Sequence, residues 1–463
     1  MLSNLKEILM IAKTKLKKKF KNKFFRRRLV LYIVCLLIII LILTIAIKNG
    51  KRKKYENRIK KYEETVFGTL EEEYANITKY YSYGTHFHVE GTINNISKDN
   101  YESVSLLISN ENDTKEFSIS GSLTDNILSF TSGNQLNKGI YLDELSNGRY
   151  YIKVKVVLNN SNKPKIYTLK NNSTYPSIEY YSVTRDGKNK LEKIYFSTYT
   201  NFSNRTFDCL LVDVEDKQLP SEVYDIVIDA GHGGTDAGVH TGGYEEKNIM
   251  LDYAKALKSS LENRGFKVKL TRDDSNTDRY TDSNMYDPDG RVTVACKSKA
   301  KLLLALHIAD GSTRISGCEV YAPTRSDIYL AKSLANNMKN STTIPFSNNS
   351  DFRQTDGVYV RNYTTAQIEA LAKTARNMNY EPYNITTQTP YHYMIRETGG
   401  IATGAYIDGR NTAYNKNIYY DSNQAIESYL INFGYIKTDL QVILEQKDKF
   451  IESITQSIAN DWK

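Results

Sequence analysis

The sequence predicts a multi-domain chain: an N-terminal transmembrane helix, an all-β, sandwich-like middle domain and a C-terminal α/β domain. Three observations predict this. Leu29 to Ile47 is a run of 19 residues without a charge. Between residues 85 and 220, short alternating runs recur between clusters of Asn, Ser, Asp and Gly. From Tyr224 onward, near-continuous apolar strands alternate with an amphipathic helical pattern. A length of 463 residues suits two or three domains. A 40% hydrophobic and 25% charged composition supports sizeable cores. The expected boundaries are a basic cytoplasmic arm at 1–28, a span at 29–47, a helical stalk at 48–84, the β domain at 85–220 and the α/β domain at 221–463.

The net charge of +9 at first suggests a nucleic-acid partner. The excess lies before residue 62, so it describes a tail and not a binding domain. No nucleic-acid partner is expected. The four cysteines, Cys35, Cys209, Cys296 and Cys318, show no CxxC spacing, so no disulfide scaffold and no thiolate metal site is read.

The apolar run reaches about 28 Å as a helix, close to the roughly 30 Å hydrocarbon core of a bilayer. A buried core helix rarely runs this far without a polar face. A signal peptide has a shorter apolar core and a small-residue cleavage site. Here Lys48-Asn49-Gly50-Lys51-Arg52-Lys53-Lys54 follows instead. An uncleaved single-pass anchor is the reading. Eleven Lys and Arg precede the span and eight follow closely, which favours an inside N-terminus by a small margin. Residues 1–28 then lie against anionic headgroups, and everything after the stalk lies outside. The stalk, rich in charge and poor in breakers, reads as helix.

In the middle domain, runs such as His86 to Ile93, Ser103 to Ser109, Tyr150 to Leu158 and Cys209 to Val214 have strand length and spacing. His86 and His88 are two apart and share a strand face, which leaves a metal site open. The plainer reading is surface decoration.

The chemistry lies further on. Tyr224 to Asp229 is an apolar strand with little alternation, as a buried parallel strand requires. It runs into Ala230-Gly231-His232-Gly233-Gly234-Thr235-Asp236-Ala237-Gly238, where glycines let the backbone turn sharply and leave the imidazole at the sheet edge. A helix then opens with Glu246 in its first turn. Leu302 to Leu306 is a second buried strand with His307 at its end. Singly, His232 reads as a loop residue, Glu246 as a charge matched to the helix dipole, and His307 as a buried histidine. Two His and one carboxylate converging at strand ends form a zinc set with the fourth tetrahedral position left for water.

In that order, Ile226 to Gly238, Glu246 to Leu251, Gly265 to Arg272 and Leu303 to His307 resemble the N-acetylmuramoyl-L-alanine amidase type 3 family, a zinc amidase family. The strand Gly317 to Tyr321 and Arg291 fit the same pattern. Ala295-Cys296 stands where the family usually has Ala-Asn. The resemblance covers about residues 224 to 463. It implies an α/β domain with a central mixed sheet and one Zn²⁺ held by His232, Glu246 and His307. It also implies hydrolysis of the amide between the lactyl group of N-acetylmuramic acid and L-alanine in peptidoglycan. The C-terminal domains then face the cell wall from the cell membrane, and residues 85–220 serve as a spacer or bind a division or wall-synthesis partner.

One position departs from the family. Its last strand carries a general-base Glu; the matching stretch here, Leu430 to Thr438, has Asn432. Asn can orient a water but cannot take its proton. Glu427 is five residues earlier on the same strand and so on the opposite face. Glu397 is read as ending a neighbouring strand and is the substitute candidate, with a salt bridge as its plainer role. A positioned base is worth about 10² to 10⁴ in rate. The activity is therefore expected to be weakened, and Asn432→Glu to raise it at least roughly tenfold. The alternative is an impaired amidase-like domain that binds peptidoglycan as a scaffold or regulator. The long segment from Ser341 to Gln424, rich in Tyr, Asn and Gly, is read as lining or covering the cleft. Leu440 to Trp462 is read as one final amphipathic helix.

Overall fold

The computed structural model describes residues 10–15, 20, 23–67, 71, 73–97, 101–133, 139–159, 163–171, 177–184, 187–274, 289–324, 328–379, 385–398 and 424–462. The chain divides into two units, residues 1–68 with 201–204, and residues 69–200 with 205–463.

The first unit is built on one helix, Lys23–Val66, of 44 residues. It is long and apolar enough to cross a membrane. Leu31, Ile38, Leu41 and Ile45 are all exposed on it, so among the described residues the apolar run enters no protein core. The charged stretch continues the same helix, with Arg52 and Glu56 paired at 2.8 Å one turn apart. Much of the basic arm lies outside the described residues. The helix ends at Val66. Ala75–Tyr83 is a strand, because its Ile, Thr and Tyr residues favour a pleated, half-buried surface over a helix.

The second unit contains two large sheets. The first runs in the order Ile178–Tyr181, Lys190–Thr200, Thr206–Asp216, Gly148–Leu158, Lys165–Asn171, Ala75–Tyr83, His86–Ile93, Ile127–Thr131 and Ser120–Thr124. Tyr101–Ser109 adds to Gly148–Leu158 off this path. Tyr80, Phe87, Val89, Leu106, Val154 and Leu210 meet in one buried cluster. His86 and His88 correct the surface reading, since both are buried. Thr85 Oγ1 lies 2.9 Å from His86 Nδ1, and the His88 ring stacks on Tyr81 at 4.7 Å.

The second sheet has seven strands. In chain order the C-terminal elements are β1 (Ile226–Ala230), α1 (Glu246–Glu262), β2 (Val268–Leu270), α2 (Arg291–Lys297), β3 (Leu302–Ala309), β4 (Glu319–Tyr321), α3 (Tyr329–Ser341), β5 (Arg353–Thr355), β6 (Val358–Tyr359), α4 (Thr365–Asn377), α5 (Tyr393–Thr398), β7 (Glu427–Tyr435), α6 (Leu440–Glu445) and α7 (Lys447–Asp461). The spatial order is β2-β1-β3-β7-β4-β6-β5. β2, β1, β3 and β7 are mutually parallel and β4 runs against β7, so the sheet is mixed. Alternation sorts the strand residues to two covered faces. Ile226, Ile228, Leu304, Leu306 and Ile431 pack with α1, α3 and α7. Val227, Leu303, Ala305 and Leu430 pack with α2 and α5. The expected single final helix is two, α6 and α7, broken at Gln446, whose φ of −112° and ψ of 23° are not helical.

The two sheets touch directly. Ser82 and Tyr83 pair in parallel with Gln424 and Ala425. The Gly84 N–H donates to Ala425 O at 2.9 Å. A Cβ at Gly84 would meet the Glu427 Cβ at 2.7 Å, so only glycine allows the chain this close.

Candidate metal centre

The site forms where β1 and β3 end. Their register pairs Ala230 with Leu306, so His232 and His307 emerge from adjacent parallel strands at the same edge. His232 adopts φ 58°, in the left-handed region that non-glycine residues seldom enter, and the flanking glycines absorb the rest of the turn. Two buried arginines tie this loop through its carbonyls. Arg272 donates to Ala230 O at 2.9 Å and Gly231 O at 3.0 Å, and Arg291 donates to His232 O at 2.7 Å. Asp229 holds both neighbours, accepting from Thr271 Oγ1 at 2.6 Å and pairing with Arg291 at 3.4 Å.

Glu246 opens α1 and is buried. One carboxylate oxygen lies 3.1 Å from His232 Nε2 and the other 3.0 Å from His307 Nδ1. Backbone N–H groups of Val239 and Ile308 donate to the same two oxygens at 3.0 and 2.8 Å. One donor atom from each of His232, Glu246 and His307 lies within 4.8 Å of the other two. Space for this is made by absent side chains. A Cβ at Gly231 would stand 2.4 Å from His307 Cε1, and one at Gly238 would stand 2.5 Å from Glu246 Oε2.

The electrostatics follow from one anion shared by two imidazoles. Burial disfavours a charged His232, but the Glu246 carboxylate and then Asp236 outweigh it and hold the imidazole up at about 9. Burial also works against the Glu246 anion, and hydrogen bonds from His232 and His307 hold it below the usual carboxylate range instead. Asp236 is the residue sequence reading missed. Its Oδ2 sits 2.7 Å from His232 Nδ1, and its Oδ1 accepts from Gly238 N at 3.0 Å. A carboxylate on Nδ1 fixes the tautomer and turns Nε2 toward Glu246, as in metal sites where a second carboxylate backs a ligating His. The signal was present four residues after His232 in a glycine-rich loop.

The candidate bases fall elsewhere. Glu397 corrects the expectation of a strand end. It lies in helix α5, with Oε1 2.6 Å from Arg396 Nε, so the plainer salt-bridge reading describes it. Glu427 is on the face opposite Asn432, where it accepts from Tyr429 and from Trp462 Nε1 at 2.5 and 3.2 Å. Asn432 pairs in register with His307 on one side and Glu319 on the other, and its Nδ2 donates to Glu319 Oε2 at 3.1 Å. Part of the expected covering segment, residues 399–423, lies outside the described residues. Residues 380–384 lie outside them too. From the described part, Tyr363, Gln367, Leu371, Tyr391, His392 and Arg396 line a cavity of about 510 Å³ between α4 and α5. Burial pushes His392 down to about 3, helped by Arg361 and by His307, so it stays neutral beside the site.

A mixed α/β sheet carrying a His-Glu-His cluster at its strand ends defines an α/β domain with three side chains that could hold a metal ion. A family model described as N-acetylmuramoyl-L-alanine amidase matches residues 226–461, half of the chain, and the chain belongs to that family. Likeness to single proteins is more local. N-acetylmuramoyl-L-alanine amidase AmiA of Escherichia coli (strain K12) is 38% identical over 100 residues, 21% of this chain and 32% of that protein. N-acetylmuramoyl-L-alanine amidase LytC of Bacillus subtilis (strain 168) is 32% identical over 111 residues, 24% of this chain and 21% of that protein. The matched stretches thus span less than half the length of these curated relatives. Among solved structures, N-acetylmuramoyl-L-alanine amidase AmiC2 of Nostoc punctiforme is 21% identical, covering 52% of this chain and 97% of that one, with a TM-score of 0.31.

Proposed function

We propose that the chain is a membrane-anchored peptidoglycan hydrolase, a zinc-dependent amidase that cuts the bond between the lactyl group of N-acetylmuramic acid and L-alanine. The observation that carries this reading is a buried carboxylate, Glu246, held between two imidazoles in a domain of the amidase family. Two imidazole nitrogens and a carboxylate oxygen at this separation suit zinc, which takes such sets with one position left for water. Bound zinc supplies a Lewis acid and brings the pKa of a bound water to about 7. His232, Glu246 and His307 are the residues that would hold it. Asp236 keeps the proton on His232 Nδ1 and so leaves Nε2 as the donor. Asn432, beside His307 in the strand register, carries an amide that can orient a water without taking its proton.

The helix Lys23–Val66 is read as a single-pass anchor with the folded domains facing the wall. The first sheet is read as a spacer or as the docking surface for a wall-synthesis or division partner. The open cavity with Tyr363 and Tyr391 suits a sugar face.

A second reading is favoured by one residue. With Asn432 at the base position, the domain binds peptidoglycan and cuts it poorly, acting as a scaffold or regulator. The test is to purify the full chain, measure its zinc and incubate it with isolated wall. The amidase reading expects about one zinc per chain and stem peptides with a free L-alanine amine, both lost in His232→Ala. Zinc and muropeptide binding without release would support the second reading. A metal-free protein that takes up no zinc would end both.

A further inference from the structure

The register of three strands places His307, Asn432 and Glu319 in one row across the sheet. Directly opposed residues of neighbouring strands share a face, and each step is about 4.8 Å. The neighbours agree, since Ala305, Leu430 and Tyr321 all lie in the cluster under that face.

Glu319 is buried and accepts five hydrogen bonds. Its Oε1 accepts from the Tyr435 hydroxyl at 2.5 Å, Ser347 Oγ at 2.8 Å and Asn349 Nδ2 at 3.3 Å. Its Oε2 accepts from the Tyr321 hydroxyl at 3.0 Å and Asn432 Nδ2 at 3.1 Å. A carboxylate so surrounded by donors is an acceptor only. Glu319 is 1% exposed, and in the strand register Asn432 lies between it and His307. Its effect on Asn432 is specific. An amide can turn either its NH₂ or its oxygen toward a neighbour, and only the NH₂ is compatible with an anion. Among the described residues, the Asn432 Oδ1 accepts no hydrogen bond.

We propose that Glu319 is a positioning residue that locks the Asn432 amide with Oδ1 toward the His307 side. The chain thereby holds a fixed, neutral acceptor where a water must be oriented. This rests on the amidase reading and adds a consequence to it. A carboxylate placed at 432 alone would abut the Glu319 carboxylate, so Asn432→Glu cannot restore a base cleanly. The charge must move from 319 to 432.

The test compares the native, zinc-loaded full chain with Glu319→Gln, Asn432→Asp and the double variant. It measures Tm together with kcat and KM for stem-peptide release from muropeptide. Glu319→Gln frees the amide to turn, and kcat should fall about tenfold with KM within about twofold. Asn432→Asp alone should lower Tm, because two buried carboxylates face each other. In the double variant the amide introduced at position 319 donates to the carboxylate introduced at position 432. Tm should return to that of Glu319→Gln, and kcat should exceed the native value at least roughly tenfold. Substitution effects on Tm that simply add would show that the two side chains do not act on each other and would overturn the proposal. So would Glu319→Gln with native kcat, which would leave Glu319 a structural role only. A native chain that binds zinc but releases nothing would instead count against the amidase reading. In that case, activity appearing in the double variant supports the positioning role, and its absence overturns it.

Discussion

At the scale of single residues, the site depends as much on what holds the three donors as on the donors themselves. Asp236 gives His232 its tautomer through a 2.7 Å contact. Asp236→Asn keeps the shape but removes the anion, and zinc affinity should fall about 10- to 100-fold in a chelator competition. An affinity equal to native would mean that Glu246 alone orients the ring. Gly231 is needed for room. A methyl there would lie 2.4 Å from His307 Cε1 and 2.7 Å from Leu306 O. Gly231→Ala should therefore lower both zinc content and Tm, and a fully loaded variant of native Tm would refute the packing account.

At the scale of elements, helix α5 decides the standing of Glu397. Its carboxylate is engaged by Arg396, which also donates to the Tyr363 hydroxyl at 2.8 Å and Tyr391 O at 3.0 Å. Glu397→Gln should lower Tm yet leave stem-peptide release within roughly twofold, since losing a true base would cost about 10² or more. A hundredfold loss would reinstate Glu397 as the base. In the first sheet, Lys153 is buried on Gly148–Leu158, and burial pushes its pKa down to about 8. A lysine whose folded pKa lies below its unfolded value of about 10.4 costs stability in full below about pH 8. The cost is relieved as pH rises from about 8 to 10.4. Lys153→Met should stabilise the chain at pH 7 by on the order of 2–3 kcal/mol and flatten the rise in Tm above pH 8.

At the scale of the whole molecule, the two sheets are expected to stabilise each other. Ala425 bonds to Gly84, Thr184 N donates to Asp225 Oδ1 at 2.9 Å, and buried Lys301 faces Glu192, Asp225 and Asp143. Residues 221–463 cut out alone would expose these groups. Their Tm should lie below that of a chain lacking only residues 1–66, and equal melting temperatures would show the junction to be incidental. Zinc should raise Tm in either form, adding up to about 4 kcal/mol of stability when its concentration is a thousandfold above Kd, and a chelator should reverse this. Removing residues 1–66 should move the protein from the membrane fraction to the soluble one on centrifugation.

Much was legible in residue order because it depends on local pattern. The uncharged run, the short β runs, the buried strands and the His232, Glu246 and His307 positions all follow from hydrophobic period, glycine placement and strand ends. Those signals act over a few residues and need no partner. Strand Ala75–Tyr83 was hidden in a charged stretch, since its partners lie at His86–Ile93, Lys165–Asn171 and Gln424–Ala425. Helix α5 was mistaken for a strand because six residues carry too little periodicity to separate the two. The sequence by itself determined which residues could bind a cation and that Asn432 cannot serve as a base. Only the tertiary structure decided that Glu319 stands behind Asn432, that Glu397 belongs to Arg396, and that Asp236 backs His232. Those contacts join residues whose meeting is set by sheet register and loop closure, which no local pattern encodes.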